Sequence, residues 1–367
     1  LPLAQFYLGR LYAEGRGTAR DDREALQWFR RAAEQNLPLA QLELAHRYLE
    51  GRGVVLDETK GTQLLEQAAQ GGHPEAQIQL AEHYLAGRGV PRDPRIGLDW
   101  LRKAAEQGNA DACYRLGAAY LRGQAVGRDE GQAADWYRKA AGQGLLVAQQ
   151  ALADMYATGV GVSQDDRQAL QWFREAAKSG NAEVEFNLGV LYAAGRGTPR
   201  DLTQAAQWYR KAADRGLPAA QLSLGLLHAA GEGGLPKDDG KAIEWYRKAA
   251  DQEWPLAQVL LGLHYATGRG VARDDRQTFL WFEKAANQGL PLAQYGLGML
   301  YINGQGVIPD GIKAHQWLDL AASGGYAGAT QPLAAIADQL TETDRTEARK
   351  RAEQWRSTHV VRHAKPN

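Results

Sequence analysis

Nine aspartates recur at one interval along this chain. After Asp21 come Asp57, Asp93, Asp129, Asp165 and Asp201 at steps of 36 residues; after a single step of 37 come Asp238, Asp274 and Asp310. Tryptophans keep the same interval at Trp28, Trp100, Trp136, Trp172, Trp208, Trp245, Trp281 and Trp317, and Leu64 fills that slot in the second copy. One supersecondary unit copied along a chain can bury its apolar face only against its own neighbours, so the period fixes the architecture as an array. A length of 367 residues would otherwise suggest two or three globular domains.

Each copy reads as two helices. In the first, Ala4, Leu8, Leu11 and Tyr12 fall at helical spacing, and Gly15 and Gly17 end the helix. Asp21 or Asp22 then caps a second helix that carries Ala25, Trp28, Phe29, Ala32 and Ala33 on one face. Asn36 closes it, where later copies use glycine, as at Gly72 and Gly108, and a proline such as Pro38 or Pro74 opens the next copy. The slot of Gly9 returns as Ala45, Ala81, Gly117, Ala153, Gly189, Gly225, Gly262 and Gly298, and nothing larger than alanine enters it. Two helices are expected to approach closely there, with the tryptophans as the complementary large pieces. Complete burial would remove about 150–250 Å² of each indole from water.

The pattern Ala-Gln-x-x-Leu-Gly-x-x-Tyr, Gly-x-Gly, Asp, Ala-x-x-Trp-Tyr/Phe-x-x-Ala-Ala resembles the Sel-one-like repeat, a relative of the tetratricopeptide repeat, over nearly the whole chain. The resemblance implies an all-α fold: a right-handed α-solenoid of nine antiparallel helix pairs and a C-terminal capping helix. Residues 1–340 would form the solenoid as nine full units and a half unit, 341–356 the capping helix, and 357–367 a flexible tail. Three places depart from the pattern. Gly123-Gln124-Ala125 breaks the Gly-x-Gly turn, and Gly231 to Pro236 carries the extra residue behind the 37-residue step. Glu253 replaces a closing glycine; a left-handed glutamate is strained, so a different turn is expected there. Its neighbour Trp254 lies outside the tryptophan slot and is either a hydrophobic staple onto the next helix or a partner contact.

Catalytic and metal chemistry find little support. One carboxylate per copy cannot supply the six to eight oxygens that calcium takes, and capping accounts for the aspartates. The Gly-Arg-Gly triplets lack a following Gly-Lys-Ser/Thr and a preceding strand, so they cradle no phosphate. His359 and His363 stand at helical spacing but lack a third ligand in sequence; His228 replaces a tyrosine and reads as a packed ring. The lone Cys113 has no CxxC partner and sits where most copies have glutamine. No cofactor and no catalytic residue are expected. With 43 basic and 43 acidic residues the chain has no net field toward nucleic acid, and pairs such as Arg30-Arg31, Arg102-Lys103 and Arg210-Lys211 share their helices with acids. No run approaches the roughly 20 apolar residues of a membrane span.

A protein partner remains. By analogy with tetratricopeptide arrays, the first helices line a concave wall that includes the residue after the small slot. That position runs Arg10, His46, Glu82, Ala118 and Asp154, then turns apolar at Val190, Leu226, Leu263 and Met299. Four residues earlier stand Phe186, Leu222, Val259 and Tyr295. These eight with Trp254 are the candidate contact residues. The competing account is that neighbouring first helices bury these side chains against one another. The family resemblance implies a non-enzymatic binding scaffold, monomeric on its own. Its finer role would be a bacterial immunity protein neutralising a secreted toxic effector such as a lipase, or an envelope or signalling adaptor. A β-lactam binder or enzyme is a further alternative, though the disulfide pattern of the Cys-rich relatives is missing. Because the chain opens without Met and directly on a helix, it reads as a trimmed or mature form whose native N-terminus is missing, and the bacterial periplasm is expected slightly ahead of the cytoplasm.

Overall fold

A computed structural model describes residues 1–124 and 126–363, with side chains to residue 359. Among these residues it contains twenty α-helices, two 3₁₀ turns and no strand. The chain divides into two compact units, Leu1–Ser179 and Gly180–Asn367. The first holds α1 (Pro2–Glu14), α2 (Asp22–Ala33), α3 (Pro38–Glu50), α4 (Glu58–Gln70), α5 (Pro74–Ala86), α6 (Pro94–Glu106), α7 (Ala110–Arg122), α8 (Glu130–Gly142), α9 (Leu146–Thr158) and α10 (Asp166–Ala176). The second holds α11 (Ala182–Ala194), α12 (Leu202–Asp214), α13 (Pro218–Ala230), α14 (Asp239–Asp251), α15 (Pro255–Thr267), α16 (Asp275–Asn287), α17 (Pro291–Asn303), α18 (Gly311–Ser323), α19 (Thr330–Ala337) and α20 (Glu342–His363). From α1 to α10 and from α11 to α18, each helix packs on the one before and the one after, the stacking of an α-solenoid.

The aspartate ladder is a set of helix caps. Asp21 accepts from the backbone N–H groups of Arg23 and Glu24 at 2.9 and 3.0 Å, and Asp165 from Arg167 and Gln168 at 2.9 and 3.1 Å. Asp57, Asp93, Asp129, Asp201, Asp238, Asp274 and Asp310 do the same on their own helices. Each capping carboxylate satisfies orphan donors at the positive end of a helix. The same residues also anchor the preceding loop: Asp21 N–H donates to the Tyr12 carbonyl at 2.9 Å, and Asp201 N–H to that of Tyr192 at 2.9 Å. In the lengthened copy Asp238 N–H still reaches the His228 carbonyl at 2.9 Å, so the extra residue is absorbed between Glu232 and Pro236 without moving the cap.

The core corrects one expectation. The large piece opposite the small slot is the residue after the tryptophan. A Cβ built on Gly225 would stand 2.6 Å from Cε1 of Tyr246, and one on Gly9 would stand 2.9 Å from Cε1 of Phe29. Phe29, Leu65, Tyr246 and Leu318 are among the largest fully buried side chains. In most copies small and large slots match: Ala45 and Ala81 pair with Leu65 and Leu101, while Gly117, Gly189 and Gly225 pair with Tyr137, Tyr209 and Tyr246; Ala153 with Phe173 and Gly298 with Leu318 are the two exceptions. Trp28, Trp136, Trp172 and Trp208 are only partly buried. The faces of Trp28, Trp136 and Trp208 carry a cation from the same helix, as with Lys139 at 3.8 Å from the Trp136 ring and Lys211 at 3.7 Å from that of Trp208, while Trp100, Trp245, Trp281 and Trp317 are buried. Indoles at the edge of the core thus lose less water than full burial implies, and cation–π contact covers what is left.

A ladder of buried amides ties successive copies together. Gln77 Nε2 donates to the Ala69 carbonyl at 3.1 Å, and its Oε1 accepts from Gln107 Nε2 at 2.8 Å. Gln221 and Gln258 repeat both bonds with Ala213 and Gln252, and with Ala250 and Gln288.

Two further expectations are corrected. Glu253 adopts φ 62°, the left-handed conformation judged too strained, and the turn is the ordinary one. Its N–H donates to the Ala250 carbonyl at 3.0 Å and that of Trp254 to Ala249 at 3.1 Å, the pairing that ends helices at glycine elsewhere in the chain. Two satisfied donors offset a strain of about 1–2 kcal/mol. Asn36 stands likewise at φ 57°, and its N–H donates to the Ala33 carbonyl at 2.9 Å. Helix α20 runs to His363, seven residues past the expected end of the cap at Arg356. Ser357 and Thr358 hydroxyls donate back to the Gln354 carbonyl at 2.8 and 3.1 Å, and His359 stacks on Trp355 with ring centroids 4.0 Å apart, which carries the helix onward. The Gly-x-Gly break keeps a left-handed Gly123 at φ 67°; Ala125 lies outside the described residues, as do 364–367.

Candidate functional site

All nine sequence-selected contact residues belong to the second unit, and they occupy two different environments. The earlier of the two positions faces inward. Leu222 and Val259 are buried at 7% and 2% exposure, Phe186 rests on Tyr209 at 5.5 Å, and Tyr295 on Tyr326 at 5.0 Å. Phe6 and Tyr114 in the same position pack on Phe29 and Tyr137 in the first unit, and Leu42 and Ile78 are buried there; Gln150 is the polar, partly exposed exception. Leu222 and Val259 therefore offer a partner no surface. The later position is open: Leu226 and Leu263 are each 44% exposed, and Val190 and Met299 are half-buried. Trp254 is 38% exposed and stands at the N-cap of α15, a place held by Leu217 in α13 and Leu290 in α17.

With about 100° between residues, the open slot belongs to a stripe three, four and seven residues apart along each first helix. In α13 the stripe is Ala219, Ser223, Leu226 and Ala230; in α15 it is Leu256, Leu260, Leu263 and Thr267; in α17, Leu292, Gly296, Met299 and Asn303. In α11 it is Glu183, Asn187, Val190 and Ala194, and Glu183 is the sole ionisable side chain of the whole set. Leu256, 40% exposed, is a member that the sequence reading missed, although its seven-residue spacing to Leu263 would have disclosed it. The corresponding stripe in the first unit is strongly charged: Arg115 there pairs with both Glu82 and Asp111, and Arg10 with Glu14.

The other polar candidates resolve into packing. In the Arg/Lys pairs the first member donates to the tyrosine of the next copy, as Arg102 Nη2 does to Tyr120 Oη at 3.1 Å and Arg247 Nη2 to Tyr265 Oη at 2.7 Å. The second member lies over its own tryptophan, so neither forms a free basic ridge. His228 is 2% exposed and its Nε2 meets Arg210 Nη2 at 3.2 Å; burial and then Arg210 push its pKa below the usual histidine range. Cys113 is 1% exposed with Sγ 3.7 Å from the Ala105 carbonyl, and burial raises its thiol pKa, the opposite of what a nucleophile needs. His359 lies against Trp355, and the side chain of His363 is outside the described residues.

Sequence reasoning also missed Arg47, 3% exposed beside a cleft of about 450 Å³ in the first unit. Its guanidinium spans Asp22 at 3.1 Å and Glu43 at 3.4 Å and lies over Phe29, which makes it a packing element. Among the described residues no three His, Cys, Asp or Glu side chains could hold a metal, and no helix is long and apolar enough to cross a membrane.

The model of the Sel1 repeat matches nine consecutive segments: residues 2–37, 38–73, 74–109, 110–145, 146–181, 182–217, 218–253, 255–290 and 291–326. A search of curated proteins found no match. Among solved structures, the chain is similar to a Sel1 repeat protein from Oxalobacter formigenes, with 34% identity over 85% of this chain and 90% of that one and a TM-score of 0.71. It is also similar to c5321, a protective antigen of uropathogenic Escherichia coli with an SLR fold. That match has 32% identity over 100% of this chain and 87% of that one, with a TM-score of 0.64. The immunity protein Pa5087 of Pseudomonas aeruginosa shares 23% identity over 59% of this chain and 83% of that one, at a TM-score of 0.35, too slight a likeness to bear on the partner. With nine matched copies laid end to end on nine capped helix pairs, the chain belongs to the Sel1 repeat family.

Proposed function

We propose that this chain is a non-catalytic scaffold that binds a protein partner on the first-helix face of its second unit. Val190, Leu226, Leu263 and Met299 form the contact row, with Trp254 and Leu256 at its margin. Sel1 repeats mediate protein interactions, and their proteins are generally non-enzymatic scaffolds. The observation that carries the reading is the uncharged stripe: Leu226, Leu256 and Leu263 stay 40–44% exposed on helices whose outward positions hold no charge from Ala219 to Asn303. Water gains little from such a surface, and a partner that covers it gains apolar burial at about 25 cal/mol per Å². A charged partner residue would lose its hydration there without meeting a counter-charge, so the contact selects an apolar, uncharged surface.

Neutralisation of one secreted toxic effector is the finer reading, and it requires a tight one-to-one pair. An adaptor would instead hold several partners weakly. Affinity capture from a native extract, with wild type beside the Leu226→Glu/Leu263→Glu variant, tests both levels. The proposal expects bound protein to be lost in the variant while its helical circular dichroism is unchanged. Equal capture by both forms rejects the face. One stoichiometric band against many weak ones separates the immunity role from the adaptor.

A further inference from the structure

The last helix of the second unit is seated on α18 around a buried imidazole. Trp355 of α20 meets Trp317 edge to face at 6.1 Å, and Arg356 Nη1 donates to the Asp319 carboxylate at 3.1 Å and to Ser323 Oγ at 3.2 Å. Ala348 and Ala352 are fully buried, and Ala352 lies in one core cluster with Trp317 and Leu318. His315 on α18 is 4% exposed and its Nδ1 has no hydrogen-bond partner. Arg345 on α20 pairs with Glu342 through Nη2 at 2.7 Å, while its Nε is buried without a partner. Equivalent positions in other copies hold Leu26, Thr62, Leu98, Ala134, Leu170, Ala206, Ile243 and Phe279, none of them ionisable, so packing alone does not call for an ionisable ring.

The charged groups that act on His315 are Arg345 and Arg349 of α20 and Asp319, one turn along α18. Helices α17 and α19 contribute no charge; their titratable groups are Tyr295 and Tyr301. We propose that α20 is an acid-released cap: a proton on His315 loosens its seat on α18 and uncovers the last core layer. Arg345 is already paired with Glu342 at 2.7 Å and Asp319 with Arg356 at 3.1 Å, so the imidazolium would stand beside Arg345 and Arg349 with no carboxylate of its own. Two cations would compete for one carboxylate, and the ion link between the helices would weaken.

Burial holds the His315 pKa below its ordinary 6.5, with Arg349 and Arg345 adding to the effect against the pull of Asp319. The seated cap therefore binds fewer protons than the released one. Its stability is full above the ordinary histidine value and falls as pH drops below it.

Hydrogen exchange of the α20 amides, corrected for the intrinsic pH dependence of exchange, reads the seat directly. In wild type, protection of residues 348–355 relative to α16 should fall between pH 7.5 and 5.5 by up to about tenfold, the limit set by a histidine of ordinary pKa one pH unit below it. His315→Leu restores the side chain of other copies and should keep its protection at both pH values; His315→Gln is the second variant should leucine not fit beside Arg345. Equal wild-type protection at both pH values overturns the proposal, as does the same acid loss in the variants.

Discussion

Gly225→Ala adds one methyl group, and the structure says where it goes. The new Cβ would lie 2.6 Å from Cε1 of Tyr246 and 3.2 Å from the Ala242 carbonyl oxygen. Carbon atoms pack best at about 3.5–4.0 Å, so the ring must retreat by about 1 Å. Tyr246 is 1% exposed, so the ring can retreat only against its buried neighbours. Overpacking of this kind costs about 1–3 kcal/mol. Alanine in a helix returns about 1 kcal/mol relative to glycine, leaving a net loss of about 1 kcal/mol. The decisive comparison is the double variant. Tyr246→Leu recreates the Ala–Leu pairing of Ala45 with Leu65, so Gly225→Ala should be tolerated on that background and the two changes should couple by about 1 kcal/mol or more. Hydrogen exchange in α13 and α14 measures this locally, which suits an array that need not unfold as one body. A neutral Gly225→Ala, or strictly additive effects, would refute the pairing of small and large slots.

The remaining predictions concern the caps and the contact face. Asp165→Ala removes the acceptor for two backbone donors and should lower the stability of α10 by about 1 kcal/mol, read as faster amide exchange in its first turn. Leu226→Glu should change thermal stability by less than about 0.5 kcal/mol because its side chain is 44% exposed. Leu222→Glu, four residues earlier and 7% exposed, buries an unpaired charge and should unfold α13 locally in the same assay. Equal effects of these two leucine changes would erase the distinction between the core slot and the open slot.

The division between legible and hidden features follows from repetition. Helix ends were readable because aspartate, glycine and proline act through their own backbones, and nine copies raise each signal above chance. Trp28 and Phe29 show why the core was harder: they sit about 100° apart on one helix, and an apolar arc contains both without saying which points to its centre. The matching of Ala45 with Leu65 and of Gly225 with Tyr246 held that information within the chain. Leu222 and Leu226 look alike in sequence because four residues nearly complete a turn. The residual rotation of about 40° is enough to carry one to the core and leave the other open. At Glu253 the steric cost of a left-handed residue is visible in the sequence, while the hydrogen bonds that the turn completes are not. The imidazole under α20 was invisible because only the packed structure places His315 opposite arginines 30 and more residues away.

Site-specific photocrosslinking in the native host tests the proposed face most directly. A photoreactive residue at position 226 or 263 is compared with one at Gln207 or Lys241, both exposed on second helices of the same unit. The proposal expects one discrete crosslinked protein from positions 226 and 263 and none from 207 and 241. Crosslinks confined to the second-helix positions, with 226 and 263 silent, would contradict it.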